Sequence, residues 1–216
     1  MIAIAAGAGL PDGAVADTHG WFHPADEADV VRFVRAARAA RRRVRVRGAH
    51  HSVPSAVAGP RDIVLVLDRF RHIDIDTRTW EVSAGAGLRL GVDPLNPRAA
   101  SDATLCPALH AAGRALPNLG GIVHQTVAGF LATGSAGGST RFDAAASVVG
   151  LRFVDGHGDV HRLRRENDAE LLDAVLVAVG FVRHRHRSDV RDGAGVRREW
   201  DRNGPSRSRR RRGSLR

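Results

Sequence analysis

Two stretches of this chain combine small residues with side chains that can hold a ligand. The first is Arg47-Gly48-Ala49-His50-His51-Ser52. Its glycine and alanine let the main chain approach a ligand closely, and exposed N–H groups in such a loop can bind phosphate oxygens. His51 and Ser52 add polar contacts, so a diphosphate-bearing cofactor fits; the alternative is an ordinary loop with two solvent-exposed histidines. The second stretch, Gly120 to Ser139, holds Gly121, Thr126, Val127, Gly129, Thr133, Gly134 and Ser135. Small and hydroxyl-bearing residues at this density offer a surface where a flat ring and its phosphates can press against main chain. A flexible glycine linker is the competing reading. Val127, Phe130 and Leu131 speak against it, because linkers lack such apolar anchors.

The elements around these stretches follow from periodicity. Asp26 can cap a helix in which Val30, Phe33, Val34 and Ala37 recur at helical spacing. Val44-Arg45-Val46-Arg47 then alternates as a short strand and stops at Gly48, which places the first loop directly after a strand. Ile63 to Leu67, Ile73 to Ile75 and Trp80 to Ser83 are further β-like runs, and Ala103 to Ala112 is a short helix ended by Gly113. Val148 to Asp155 and Asp159 to Leu163, around Gly156-His157-Gly158, form a β-hairpin. Asn167 can cap a last helix over 169–179. Strands joined both by helices and by hairpins make α+β the expected class.

Composition narrows the functions. The chain of 216 residues is 43% hydrophobic and has no apolar run near the ~18 residues of a membrane span. It opens without a basic start or a signal core, and its single cysteine, Cys106, excludes an internal disulfide framework, so a cytoplasmic location is expected. The eleven histidines are scattered, and no metal site is expected. Ile2 to Gly9 lacks the third glycine of a dinucleotide turn, and with no lysine there is no phosphate-binding Walker loop. The formal charge of +10 belongs to one end: residues 1–180 carry 20 Arg against 19 acids, and residues 181–216 carry 13 Arg against 4. That tail has almost no apolar periodicity and is expected to be disordered. The boundaries are an N-terminal extension over 1–16, a domain over 17–180 and the tail over 181–216.

Three motifs in order carry a resemblance: Val46-Arg47-Gly48-Ala49-His50-His51-Ser52; Ala84-Gly85-Ala86-Gly87 after a strand; and Leu116-Pro117-Asn118-Leu119-Gly120-Gly121 running into Thr126-Val127-Ala128-Gly129 and Thr133-Gly134-Ser135. Together they resemble the FAD-binding domain of the vanillyl-alcohol-oxidase and p-cresol-methylhydroxylase type, and within it the aldonolactone and sugar-alcohol oxidase branch. The resemblance implies two α+β lobes with FAD between them and its diphosphate on the 47–52 loop. It implies cofactor contacts from Arg47, Gly48, Ala49, His50, His51, Ser52, Gly121, Thr126, Val127, Gly129, Thr133, Gly134, Ser135 and Val149. His51 matches the position that in this branch often bonds covalently to the flavin. His50 stands where many members have Gly, and Ala136 where lactone oxidases often have His.

Members of the family continue past residue 180 into a substrate domain, which this chain replaces with the Arg-rich tail; a truncated form or a reading-frame change is the expectation. The function implied is a flavin-binding domain of an oxidase that takes hydride from a polyol or sugar lactone and passes electrons to oxygen, with little activity alone. A flavin-binding protein without turnover is the alternative. A nucleic-acid binder using the tail ranks last, because the first 180 residues are nearly neutral and no aromatic platform accompanies the tail arginines.

Overall fold

In a computed structural model, which describes residues 9–51, 59, 61–94, 103–178 and the backbone of 195–197, the chain builds two sheets. The smaller begins at Phe22, whose N–H donates to Val64 O (2.9 Å) and whose carbonyl accepts from Val66 N–H (2.8 Å). Helix α1 (Glu27–Ala39) follows, then strand β1 (Val44–Arg47), which pairs in parallel with β2 (Ile63–Val66). Asp26 caps α1 as its sequence suggests: its carboxylate accepts from Asp29 N–H at 2.9 Å. Parallel strands covered on both faces read as continuous apolar runs rather than alternating ones. Ile63, Val64 and Leu65 are accordingly all buried, and Phe33 and Ala37 of α1 close over Phe22, Ile63 and Leu65.

The larger sheet is antiparallel, with strand order β3-β4-β7-β5-β6. Its strands are β3 (Ile73–Asp76), β4 (Glu81–Ala84), β5 (Val148–Val154), β6 (Val160–Arg164) and β7 (Gly195–Arg197). Helices α2 (Leu105–Ala111), α3 (Val127–Ala132) and α4 (Arg165–Leu176) accompany it. One core joins Val82, Leu88 and Leu90 to Leu105 and Leu109 of α2 and to Val127 and Phe130 of α3. A second joins Val148 and Leu163 to Leu172 and Leu176 of α4. The β5–β6 turn is held by Asp155, whose carboxylate accepts the N–H groups of His157 (2.8 Å) and Asp159 (2.9 Å), while Gly158 takes φ +81°.

Two contacts tie the sheets together through α1. The Arg152 guanidinium of β5 donates both to Glu27 Oε1 and Oε2 in the first turn of α1, and this fork holds the Glu27 carboxyl below its ordinary range. At the other end of the helix Arg35 donates to Gly158 O at 3.1 Å. A third clamp fixes the approach to Phe22: the His23 ring sits between Asp68 Oδ1 (2.9 Å) and Asp17 Oδ2 (3.2 Å). Burial alone would raise the Asp17 carboxyl, but hydrogen bonds from Trp21 N–H, the His23 ring and His19 N–H outweigh it and bring it to about 2.

The fold differs from the sequence expectations in three places. The glycine-rich stretch contains a helix, α3, because Val127 and Phe130 turn into the core while Thr126 caps the turn. Helix α4 begins at Arg165, ahead of the expected cap at Asn167, and its backbone breaks at Asp168 (φ −131°, ψ 33°), whose carboxylate reaches back to Arg164 N–H at 3.2 Å. Within the tail expected to be disordered from 181 on, Gly195–Arg197 pairs as β7 between β4 and β5. A three-residue strand stabilised by main-chain hydrogen bonds from both neighbours needs no side-chain periodicity, so composition gives no sign of it. Deleting residues 185–216 leaves β4 and β5 with unpaired edges and is expected to lower Tm by about 5 °C or more, a loss of ~2 kcal/mol. An unchanged melting curve would restore the dispensable tail.

Candidate functional site

The three sequence motifs converge through main-chain contact. Gly85 and Gly87 press against the Leu67–Arg71 turn so closely that a Cβ at Gly87 would stand 1.8 Å from Leu67 O, and one at Gly85 2.2 Å from Phe70 O. No residue with a side chain fits there. The chain beyond this turn runs antiparallel to 123–128: Ala128 N–H donates to Ala86 O (3.3 Å), Val127 N–H to Leu88 O (2.8 Å) and Leu90 N–H to Gln125 O (2.9 Å). The second motif thereby sets the position of Thr126, and Thr126 meets the first motif. A Cβ on Gly48 would lie 2.6 Å from the Thr126 hydroxyl oxygen.

That hydroxyl is held in place, since it accepts from Gly129 N–H at 3.2 Å as the cap of α3. Around it, Thr133 Oγ1 donates to Gly129 O (2.9 Å) and shares a hydrogen bond with Ser135 Oγ (2.9 Å). Gly134 turns the chain with φ +60°. Asn118, buried, clamps the far side of the glycine-rich stretch: its amide nitrogen donates to Phe142 O (2.7 Å) and its amide oxygen accepts from Gly137 N–H (3.0 Å).

On the 47–51 loop, the Arg47 guanidinium lies 4.1 Å from the centre of the Trp21 ring. Its Nε is buried with no partner, and burial pushes the group below its ordinary value, though a guanidinium remains charged. His50 is exposed and holds a left-handed backbone, φ +64°, which explains the suitability of glycine there. Among the described residues the N–H groups of Ala49, His50 and His51, and those of Gly120 and Gly121, donate to no protein acceptor. The His51 ring meets the ring of His124 edge to face, with centroids 4.2 Å apart and planes at 71°. Burial, and then the neighbouring His124, push His51 below the ordinary imidazole range.

The structure therefore brings Gly48 against Thr126 and His51 against His124, with Val127, Gly129, Thr133, Gly134 and Ser135 following Thr126 in one cap-and-turn unit, while Arg47 lies on Trp21. Gly121 is exposed on the adjoining loop with open space around its Cα. Val149 lies on β5, where the register against β7 shifts, apart from the contacts that join Gly48 to Thr126 and His51 to His124. Ser52 lies outside the described residues. Sequence reasoning missed His124, Asn118 and Trp21 as parts of the site. His124 and Asn118 stood in plain view within the motif stretches, but only the fold puts an imidazole at position 124 against position 51. A close main-chain approach, a buried guanidinium nitrogen without an acceptor and two sets of open N–H donors fit the phosphates and ring of a dinucleotide such as FAD.

The Gly48–Thr126 approach makes a direct prediction. Gly48→Ala must displace the Thr126 hydroxyl from its cap and is expected to cost about 1–2 kcal/mol. Thr126→Ala should cost ~1 kcal/mol alone, and the double variant should be clearly less unstable than the sum, because the clash disappears with the hydroxyl. Strict additivity in thermal or denaturant unfolding would show that the two residues do not touch.

A profile of the FAD binding domain family matches residues 19–164. Over 166 residues the chain is 32% identical to D-arabinono-1,4-lactone oxidase from Eremothecium gossypii, a match covering 74% of this chain and 29% of that protein. It is 35% identical over 107 residues to alditol oxidase from a Streptomyces species, covering 49% of this chain and 23% of that protein. The chain thus spans less than a third of the length of these curated relatives. In structure it resembles 6-hydroxy-D-nicotine oxidase from Arthrobacter nicotinovorans with a TM-score of 0.59 at 24% identity, over 72% of this chain and 32% of that one. The fold is shared with that enzyme, and none of the described helices is long and apolar enough to cross a membrane. With the matched span covering the smaller sheet, the loop after β1 and strands β3 to β6, the chain belongs to the FAD binding domain family, in the company of flavoprotein oxidases that include the aldonolactone oxidases.

Proposed function

We propose that this chain is the flavin-holding part of an oxidase acting on a sugar lactone or a polyol, with the FAD diphosphate on the 47–52 loop and the ring directed along 121–135 toward Val149. The observation that carries the reading is the contact between Gly48 and Thr126, which places the open N–H groups of Ala49, His50 and His51 next to the Thr126–Ser135 unit. FAD, when bound, supplies the hydride acceptor. The chain's own residues supply the rest. Arg47 would offer a fixed positive charge and a buried donor to the phosphates, Gly48 would let its loop lie against Thr126, and Thr133 and Ser135 would offer hydroxyls to the ring edge. The substrate class rests on the relatives, which are a D-arabinono-1,4-lactone oxidase and an alditol oxidase.

His51 is the residue proposed to bond covalently to the flavin. Its ring stands at the end of the small-residue turn and is held below the ordinary protonation range, so an unprotonated nitrogen is present near neutral pH. The purified chain should be yellow, and flavin fluorescence should stay on the polypeptide after acid denaturation. In His51→Ala the flavin should leave with the supernatant. Flavin that remains attached in this variant rules out the assignment.

A second reading, flavin binding without turnover, is favoured by what the site contains. The residues gathered here would face a cofactor, and among the described residues of the site none is assigned to a substrate carbon. Holding that carbon against the flavin in a water-excluded site contributes ~7 to 11 kcal/mol to catalysis. The 216-residue chain loaded with FAD is therefore expected to oxidise alditols and aldonolactones at least about a hundredfold more slowly than the ~10 per second of a typical enzyme. Hydrogen peroxide detection across a panel of both substrate classes is the measurement. A rate near ~10 per second would return the chain to the plain enzyme reading.

A further inference from the structure

We propose that His124 is a positioning residue for His51, the two imidazoles forming one edge-to-face pair that holds the His51 ring in a single orientation. The proposal rests on the reading of His51 as the attachment residue. Among the described residues neither ring nitrogen of His51 has a hydrogen-bond partner, and His51 and His50 are the exposed end of an otherwise half-buried loop. The contact that orients it is the His124 ring, 4.2 Å away at 71°. Edge-to-face packing at this distance is a favoured aromatic geometry, so one ring fixes the plane of the other.

His124 is itself well anchored. The carbonyl of Val123 accepts from Gly91 N–H, that of Gln125 accepts from Leu90 N–H, and the next residue is the Thr126 cap. The pair thus joins a loop of the smaller lobe to a braced segment of the larger one.

Its electrostatics act in the same direction. A proton on His124 opposes one on His51, adding to the effect of burial. The other charged groups that act on His51 are Asp93, Arg89 and His50. Arg89 Nη1 donates to Asp93 Oδ2 at 3.0 Å, so these two largely offset each other. A bond from the His51 nitrogen to the flavin methyl carbon would replace one C–H and one imidazole N–H bond, with the two protons and the electron pair passing to the flavin and then to oxygen. It needs an unprotonated nitrogen aimed in one direction, and His124 serves both requirements.

The test is an NMR titration of the His51 ring in the full chain without flavin, in the wild type and in His124→Gln, His124→Phe and His124→Arg. Gln and Phe remove the opposing charge, and each should raise the His51 midpoint by about half to one pH unit; Arg retains a charge and should keep the midpoint low. Phe keeps an aromatic edge, so it covers the case in which Gln fails to fold. In FAD-loaded protein the pH at which half of the flavin becomes acid-stable should move upward in Gln and Phe by the same amount. A loss of Tm with an unmoved His51 midpoint in both Gln and Phe overturns the proposal and leaves His124 a packing residue. Absence of acid-stable flavin in the wild type at every pH would instead defeat the attachment reading, while the midpoints still decide the pair.

Discussion

The close approach of Gly48 to the Thr126 hydroxyl is the constraint on which the site depends. Gly48 ends a parallel strand of the smaller sheet, and Thr126 begins a helix packed on the larger one. Neither residue can move without consequence: the hydroxyl is already engaged by Gly129 N–H, and Gly48 has no side chain to trade for space. Two sheets that bury separate apolar clusters are thereby held against each other at this approach. Side-chain contacts at the periphery, the Glu27–Arg152 fork and the Arg35–Gly158 hydrogen bond, orient the same two bodies at greater distance from the site.

The glycines of the middle motif have a different task from those of the first. Gly85 and Gly87 face carbonyl oxygens of the Leu67–Arg71 turn, and their lack of a Cβ serves packing, two steps removed from any ligand. Their effect reaches the site through the paired segments 86–90 and 125–128. Asn118 works from the opposite side, holding Gly137 and Phe142 with one amide so that the stretch between them keeps its path. A glycine-rich stretch that is braced on both flanks in this way behaves as a shaped surface, and its composition alone would suggest the reverse.

Much of this was legible in the residue pattern. The capped α1, the presence of strand β1, the β5–β6 hairpin and the α+β class follow from periodicity and turn chemistry, although β1 exposes Val46 and half-buries its arginines, against its own alternation. The order of the three motifs pointed to the family, which the profile over 19–164 bears out. What escaped was of two kinds. Helix α3 is too short to establish a period, and its six residues are helical because Val127 and Phe130 find a core, a tertiary effect. The meeting of His51 with His124 spans more than seventy residues of chain, and no local spacing encodes it.

Strand β7 gives the larger sheet an unusual order of assembly. The hairpins β3–β4 and β5–β6 are each local in sequence, but among the described residues they are joined side by side through 195–197. On a ribosome both hairpins emerge before their shared neighbour, each exposing a row of unsatisfied main-chain groups. Sheet closure is then a late event of high sequence separation, slowed by the entropy of bringing distant segments together, and the interval before it is when two nascent chains could pair through the same edges.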